Sequence, residues 1–554
     1  MRLRTLALPF LALAAVPAAA QTAPPISEAT LKDVTKELSS DAYEGRAPGT
    51  AGEEKAVAYL AKRFAAAGLT PGNKGSWYQD VPLVEITAQN VSPLTFRGAG
   101  APIALAYGPQ MVIGTHRIQP HIAVKDSPVV FVGYGITAPE KGWDDYAGVD
   151  VRGKTVLILV NDPDWQQPDV GGLFNGRAMT YYGRWTYKYE EAARHGAAAA
   201  IIVHQTEPAA YGWNVVQSSW TGAQQLADSK DGGAGESAAI GWIQHDAAQR
   251  LFAQADQSFD TLAAAAKRKG FRAVALKGVT ASVSFDNAIR KHMSRNVVGV
   301  LPGKTRPDEY ILYSAHWDHL GHCEAAPDGD DICNGAIDNA TGTAALVALA
   351  EANAKAGAPA RSQIFLAVTG EESGLLGSEY YAANPLYPLA KTVAGVNMDA
   401  LSMAGPAKNV VVIGKGKSDL DGWLDRALAT QGRVASAEPT PEKGFYYRSD
   451  HFSFAKRGVP MVYFEGGDDL VNGGRAAGKA AAEDYEAQRY HGPKDEYDPA
   501  WDWTGVVRDV QLYYTLGRSL ADSDAWPNWV AGDEFRAIRD KSRAPSTPAA
   551  PSAK

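Results

Sequence analysis

Residues 362–378 read SQIFLAVTGEESGLLGS: a short apolar run, Ile364 to Val368, closes at Gly370 and is followed at once by Glu371 and Glu372. A run of this length between helical stretches is the pattern of a strand buried on both faces. Two adjacent carboxylates at such a strand end repel each other. They form either a solvated loop or a pair held by something positive.

The same texture recurs on both sides. From about Ser294 the runs NVVGVLPG, YILYSAH, TVAGVNMDA, NVVVIG and VPMVYFEGG alternate with helical stretches in TGTAALVALAEANAKAG, after GLLGS, near DGWLDRALATQ and from about Trp503 to Ala521. Apolar strands alternating with helices predict an α/β fold, a mostly parallel or mixed sheet covered by helices on both faces. Its main part is expected over residues 287–540. An amphipathic helix from Ala51 to Ala67, with Gly68 as its cap, belongs to an N-terminal part over 26–89. Between them, 90–286 carries short β-type runs (PVVFVGYG, KTVLILVND, AAIIVH, AAIGWI) and one helix, Tyr187 to His195, leading through Gly196 into a strand from Ala199 to His204. That stretch predicts a separate β-rich unit with its own core.

At 554 residues the chain exceeds one compact core, and 45% hydrophobic with 21% charged residues is ordinary globular composition. A net charge of −8 argues against a nucleic-acid partner. Residues 1–20, MRLRTLALPFLALAAVPAAA, have the layout of a cleaved export signal, and no later apolar run is long enough for a membrane span. The expected location is periplasmic or secreted. The two cysteines, Cys323 and Cys333, are then expected to form a disulfide pinning an Asp- and Gly-rich loop. The tail, 541–554, is rich in Pro, Ala and Ser and is expected to be disordered.

Chemistry-bearing residues sit after the strands. His316 and Asp318 follow Tyr310 to Ser314, and an H-x-D step lets Asp318 orient a metal-bound His316. Asp338 precedes the Ala-rich helix, where an ordinary N-cap competes with a ligand. Glu371 and Glu372, Asp399 in NMDA, and His491 with Asp495 in YHGPKDEYD complete the set. Two histidines and four strand-end carboxylates suit two divalent ions about 3.5 to 4 Å apart bridged by one carboxylate, with one carboxylate left as a base. The zincin pattern H-E-x-x-H and the G-x-S-x-G elbow are absent, and Ser449-Asp450-His451 are consecutive, which rarely makes a triad. His319, His322 and His451 are read as packing or supporting residues.

AHWDHLG, GAIDNATGT, TGEESGLLGS, NMDA, YRSDHFSFAKRGVP and YHGPKDEYD, in this order, resemble the co-catalytic zinc aminopeptidases, whose kin include glutamate carboxypeptidase, glutaminyl cyclase and the transferrin receptor. The resemblance covers Arg295 to about Ala521 and the EGRAPGTAG region. It implies a peptide substrate and two divalent ions, most simply Zn²⁺, with His316 and Asp399 on one, Glu372 and His491 on the other, and Asp338 bridging. It further implies Glu371 as general base to a water between the ions, Asp318 orienting His316, Asp495 supporting His491, and Tyr446, or neighbouring Tyr447, donating to the oxyanion. Residues 90–286 look like an inserted protease-associated domain. The expected activity is that of an exported aminopeptidase. A dipeptidase or carboxypeptidase is the alternative, the latter needing basic groups such as Arg448 or Arg184. A one-zinc cyclase or a ligand-poor receptor fits less well, since no ligand is missing. Side-chain preference and oligomeric state are not legible.

Overall fold

The computed structural model describes residues 26–544. Four parallel strands form the centre of its first sheet: Arg361–Val368 beside Arg306–His316, then Thr392–Asn397, then Met461–Gly466. The C-terminal end of Val274–Leu301 lies antiparallel to Arg361–Val368, with Thr70–Pro71 beyond it. Asn409–Val412, antiparallel to Met461–Gly466, and Val434–Ala437 close the other edge. This is the mixed sheet expected.

The run Ile364 to Val368 shows why both faces are covered. Side chains alternate along a strand, so Phe365 and Ala367 join the core shared with helices Gly342–Lys355 and Thr504–Asp522. Ile364, Leu366 and Val368 enter the opposite core, with Tyr381 from helix Leu376–Ala383 and Phe454 from His451–Ala455. Burying each of the larger side chains contributes about 1.5–3 kcal/mol. The N-terminal helices Glu28–Leu38 and Ala51–Ala66 add Leu31, Val34, Leu60 and Phe64 to the first core.

Because the central strands are parallel, their C-terminal ends open on one edge of the sheet. His316 ends one strand, Glu371 and Glu372 follow the next, and Asp399 follows the third.

The second unit has the β-rich texture expected but holds more helices than the one read from the sequence. At its centre His121–Phe131, Thr155–Leu159, Ala199–His204 and Ala239–Gln244 run parallel, with helices Trp185–Arg194, His245–Ala253 and Phe259–Ala266 among its elements. It is therefore a second α/β layer with its own cores, built on residues such as Phe131, Leu157, Ile201 and Phe252 on one side and Val156, Ile202 and Trp242 on the other. The expected boundary at 286 falls inside one continuous strand. Val274–Leu301 pairs with His121–Phe131 through Asp286, with Tyr78–Gln89 from Asp286 to Val297, and with Arg361–Val368 from Val297 to Leu301.

Cys323 and Cys333 are bonded, closing the loop between Gly321–His322 and Ile332–Cys333. The tail begins later than 541, because helix Arg536–Arg543 is anchored by buried Arg539, which donates to the carbonyls of Thr392 and Val393 at 3.0 and 2.9 Å. Residues 1–20 and 545–554 lie outside the described residues. Among the described residues no helix is long and apolar enough to cross a membrane.

Candidate metal centre

Strand Arg361–Val368 ends in a turn at Gly370, whose φ of +64° suits glycine and where a Cβ would press to 3.2 Å from Leu376. The turn brings both following glutamates to the open edge. The Glu371 N–H donates to Asp318 Oδ1 at 3.3 Å, and Glu372 meets two histidines.

His316 Nε2 lies 3.3 Å from Asp338 Oδ1 and 3.1 Å from Asp399 Oδ1. His491 Nε2 lies 3.4 Å from Asp338 Oδ2 and 3.1 Å from Glu372 Oε2. Each oxygen of Asp338 thus lies near a different histidine, and His316, Asp338 and Glu372 each offer a ligand atom within 4.8 Å of the others. Ligands about 2.0–2.1 Å from a tetrahedral ion stand roughly 3.3 Å apart, so these separations fit side chains that share a bound cation. The donor types, imidazole and carboxylate, suit zinc.

The charge balance points the same way. Burial opposes charge on His316, yet Asp399, Glu371 and Asp338 push its proton affinity well above the ordinary range. His491 is raised to about 10 against burial by bonds to Asp338 and Glu372. Against burial and the charge of Asp338, the histidines His319 and His491 hold Glu372 down at about 2. Glu371 goes the other way. Burial first, then Asp399, Glu372 and Asp450, raise its carboxyl well above the usual range, against His316.

The residues expected at this site fall into two groups. His316, Asp338, Glu372, Asp399 and His491 converge as described, and Glu371 stands beside them. Asp338 is not the helix cap; Asn339 Oδ1 accepts the Gly342 N–H at 2.9 Å instead, and ties in Ala400 N–H at 3.1 Å. His316 Nδ1 is held by the carbonyl of Asp318 at 3.2 Å, while the Asp318 carboxylate is 3.8 Å away, so Asp318 orients the ring chiefly through its backbone. Asp495 does not support His491. Its carboxylate accepts the N–H groups of Ile337 and Asp338 at 3.0 Å each and fixes the Asp338 loop.

Tyr446 is a second correction. Its ring packs edge-on against His451 at 4.7 Å with the Lys417 ammonium 5.1 Å above it, and its hydroxyl feels Asp533, Glu534 and Asp421, not the carboxylates of the centre. Tyr447 donates to Glu534 at 3.1 Å. The turn Phe445–Tyr447 packs both rings into an apolar cluster with Val411, Trp529 and Phe535. Tyr490, by contrast, borders the centre. It stacks on His491 at 3.8 Å, and after burial the charges of Asp338, Glu372 and Glu371 act on its hydroxyl.

His319 supports the centre, one of the two roles read for it, while Ser449 and Arg46 carry no such mark in the sequence. His319 Nδ1 lies 2.5 Å from Glu372 Oε1. Ser449 donates to Asp399 Oδ2 at 2.6 Å and accepts from Asn397 at 2.8 Å, leaving Asp399 Oδ1 for His316. Arg46, fully buried, donates to the carbonyls of Trp317 (2.8 Å), Leu38 (2.5 Å), Asn334 (2.6 Å) and Gly335 (3.0 Å), clasping the two loops that carry His316 and Asp338. No spacing rule in the sequence marks a serine or arginine of this kind; only its contacts do.

Two expected results follow. Ser449→Ala frees Asp399 to rotate and lowers kcat about tenfold with a smaller change in KM, the scale of supporting contacts to metal ligands, read by steady-state kinetics. Arg46→Ala leaves four buried carbonyls unpaired, costs about 3–5 kcal/mol, and lowers the thermal midpoint by about 3–5 °C in calorimetry.

Residues 296–515 match the sequence model of peptidase family M28. Among curated proteins, Aminopeptidase NAALADL1 of Mus musculus is 34% identical over 128 residues, 22% of this chain and 16% of that protein. A Glutamate carboxypeptidase 2 homolog of Caenorhabditis elegans is 31% identical over 132 residues, 23% of this chain and 16% of that one. The chain therefore spans about a sixth of the length of these relatives. Among solved structures, an aminopeptidase from Aneurinibacillus sp. strain AM-1 is 20% identical, covering 91% of this chain and 96% of that one, with a TM-score of 0.47.

Proposed function

We propose that residues 296–515, a member of peptidase family M28, make this chain a zinc-dependent exopeptidase, of aminopeptidase type, that holds two ions. The observation that carries this reading is Asp338, whose two oxygens lie near two different histidines, His316 and His491, each of which also meets a further carboxylate, Asp399 or Glu372. His316, Asp399 and Asp338 would hold one ion, and His491, Glu372 and Asp338 the other.

When bound, the ions supply Lewis acidity that acidifies water and polarises the scissile carbonyl. Glu371, buried and raised in proton affinity, takes a proton from the attacking water and returns it to the leaving amine. Tyr490 donates from its hydroxyl to the oxyanion of the substrate. His319 and Ser449 keep Glu372 and Asp399 in place. A location outside the cytoplasm belongs to the same proposal, supported by the Cys323–Cys333 bond.

Elemental analysis and peptide assays test it together. About two zinc ions per chain and cleavage of peptides with a free N-terminus, with N-acetylated analogues resistant, are the expected results. One ion per chain, or equal cleavage of blocked peptides, defeats the reading.

A dipeptidase or carboxypeptidase is favoured by one observation. Arg184 of the second unit and Arg448 of the first both act on the Tyr211 hydroxyl, and Arg184 Nε is buried without a hydrogen bond. No carboxylate acts on Arg184, whose guanidinium burial pushes down to about 10. On this reading Arg448→Gln raises KM about tenfold for a dipeptide and leaves the dipeptide amide unchanged. Equal effects on the two substrates remove it.

A further inference from the structure

The second unit contains a cavity of about 640 Å³ at the C-terminal ends of Thr155–Leu159, Ala199–His204 and Ala239–Gln244. None of its lining residues belongs to the metal centre. The ends of parallel strands are where open α/β sheets receive ligands, and a cavity of this size admits a small molecule or one side chain.

Its walls define the chemistry. Trp165 and Trp213 offer indoles, with Trp213 fixed by its Nε1–H to the Gly108 carbonyl at 3.0 Å and edge-packed on His204 at 5.6 Å. The carboxylates of Glu207, Asp246 and Asp260 line it against one lysine, Lys267. Asp246 also reaches Arg250 at 3.6 Å, and Asp260 lies 3.5 Å from His245. Lys267 is itself informative. Its ammonium sits 5.7 Å over the Trp165 ring and is held by the Gln166 side chain, so the chain already places a cation on that indole.

We propose that this cavity binds an alkylammonium group, its charge over Trp165 and balanced by the surrounding carboxylates, with Lys267 as the resident competitor. Glu207, Asp246 and Asp260 are exposed, so their attraction is screened by solvent and the close contact comes from the indole face. The ammonium has two sources, the lysine side chain of a basic peptide or a free polyamine.

Calorimetric titration of the full zinc-loaded chain with spermidine, and separately with Nα-acetyl-lysyl-lysine amide, tests the proposal. At least one probe is expected to saturate one site. Saturation by the blocked peptide alone assigns an accessory subsite for basic peptides, and saturation by spermidine alone assigns a polyamine site. Trp165→Leu is expected to weaken binding about five- to twentyfold while leaving zinc content and peptide turnover unchanged. Lys267→Ala removes the competitor and is expected to strengthen binding severalfold. Absence of saturable binding by either probe overturns the proposal. So does binding that Trp165→Leu leaves intact, or that Lys267→Ala weakens, the mark of an anion site. These failures are separate from loss of the exopeptidase reading, which zinc content and turnover report independently.

Discussion

On the proposed function, Glu371→Gln is expected to lower kcat by about 10²- to 10⁴-fold while zinc content stays at the wild-type level. The substitution preserves volume and leaves the backbone N–H that bonds to Asp318 untouched. It removes only the capacity to accept a proton. Its charge acts on His316, but it supplies none of the oxygens that face His316 and His491, which come from Asp338, Asp399 and Glu372. Its neighbour supplies the contrast. Glu372→Gln weakens zinc at the His491 set and lowers activity through lost metal, so excess zinc restores part of it. Excess zinc leaves Glu371→Gln inactive. Kinetics at rising zinc, with metal content measured on the same samples, separates the two. Wild-type turnover in Glu371→Gln removes it as the base.

The two glutamates also show how much the sequence disclosed. The α/β sheet was legible because Ile364 to Val368 and the sister runs are apolar on both faces, and each ends where a chemistry-bearing residue begins. The residues that converge were legible because parallel strands place their ends on one edge. The errors have a common cause. The roles of Asp495 and Tyr446 rest on the family resemblance of the motifs around His491 and Ser449-Asp450-His451, and a matching motif does not fix where a flanking side chain points. Asp495 turns back to the backbone of Ile337 and Asp338, and Tyr446 is drawn into an apolar cluster beside Lys417. The strands of the second unit were legible, but helices such as Phe259–Ala266 were not, because they are short and alanine-rich. The strand joining both units carries no composition change at 286, since its alternating pattern serves first one sheet and then the other.

Asp338→Asn has the largest expected effect on the centre itself: zinc content falls from about two ions per chain to one or none, and turnover falls below detection. An amide keeps the size of the carboxylate but presents only one oxygen, and its NH₂ points a positive edge at one cation set. Both sets share Asp338, so one substitution damages two sites where Asp399→Asn or Glu372→Gln damages one. The loop itself survives, because Asp495 grips the N–H groups of Ile337 and Asp338, which the change does not touch. The variant therefore separates metal loss from unfolding. In the wild type, zinc at a thousandfold excess over its dissociation constant adds about 4 kcal/mol per site, and chelation lowers the thermal midpoint by several degrees. The Asp338→Asn midpoint is expected to ignore both zinc and chelator. The metal-free wild type gives a pH check on the same residue. Against burial, His316 and His491 hold the Asp338 carboxyl well below its usual range, so its contribution to folding is present above the ordinary aspartate range near pH 4 and is lost as pH falls through the depressed value. Wild-type metal-free protein is thus expected to lose more stability than Asp338→Asn between pH 4 and lower values. A variant that retains two zinc ions, or whose midpoint still climbs with zinc as the wild type does, shows that Asp338 does not bridge.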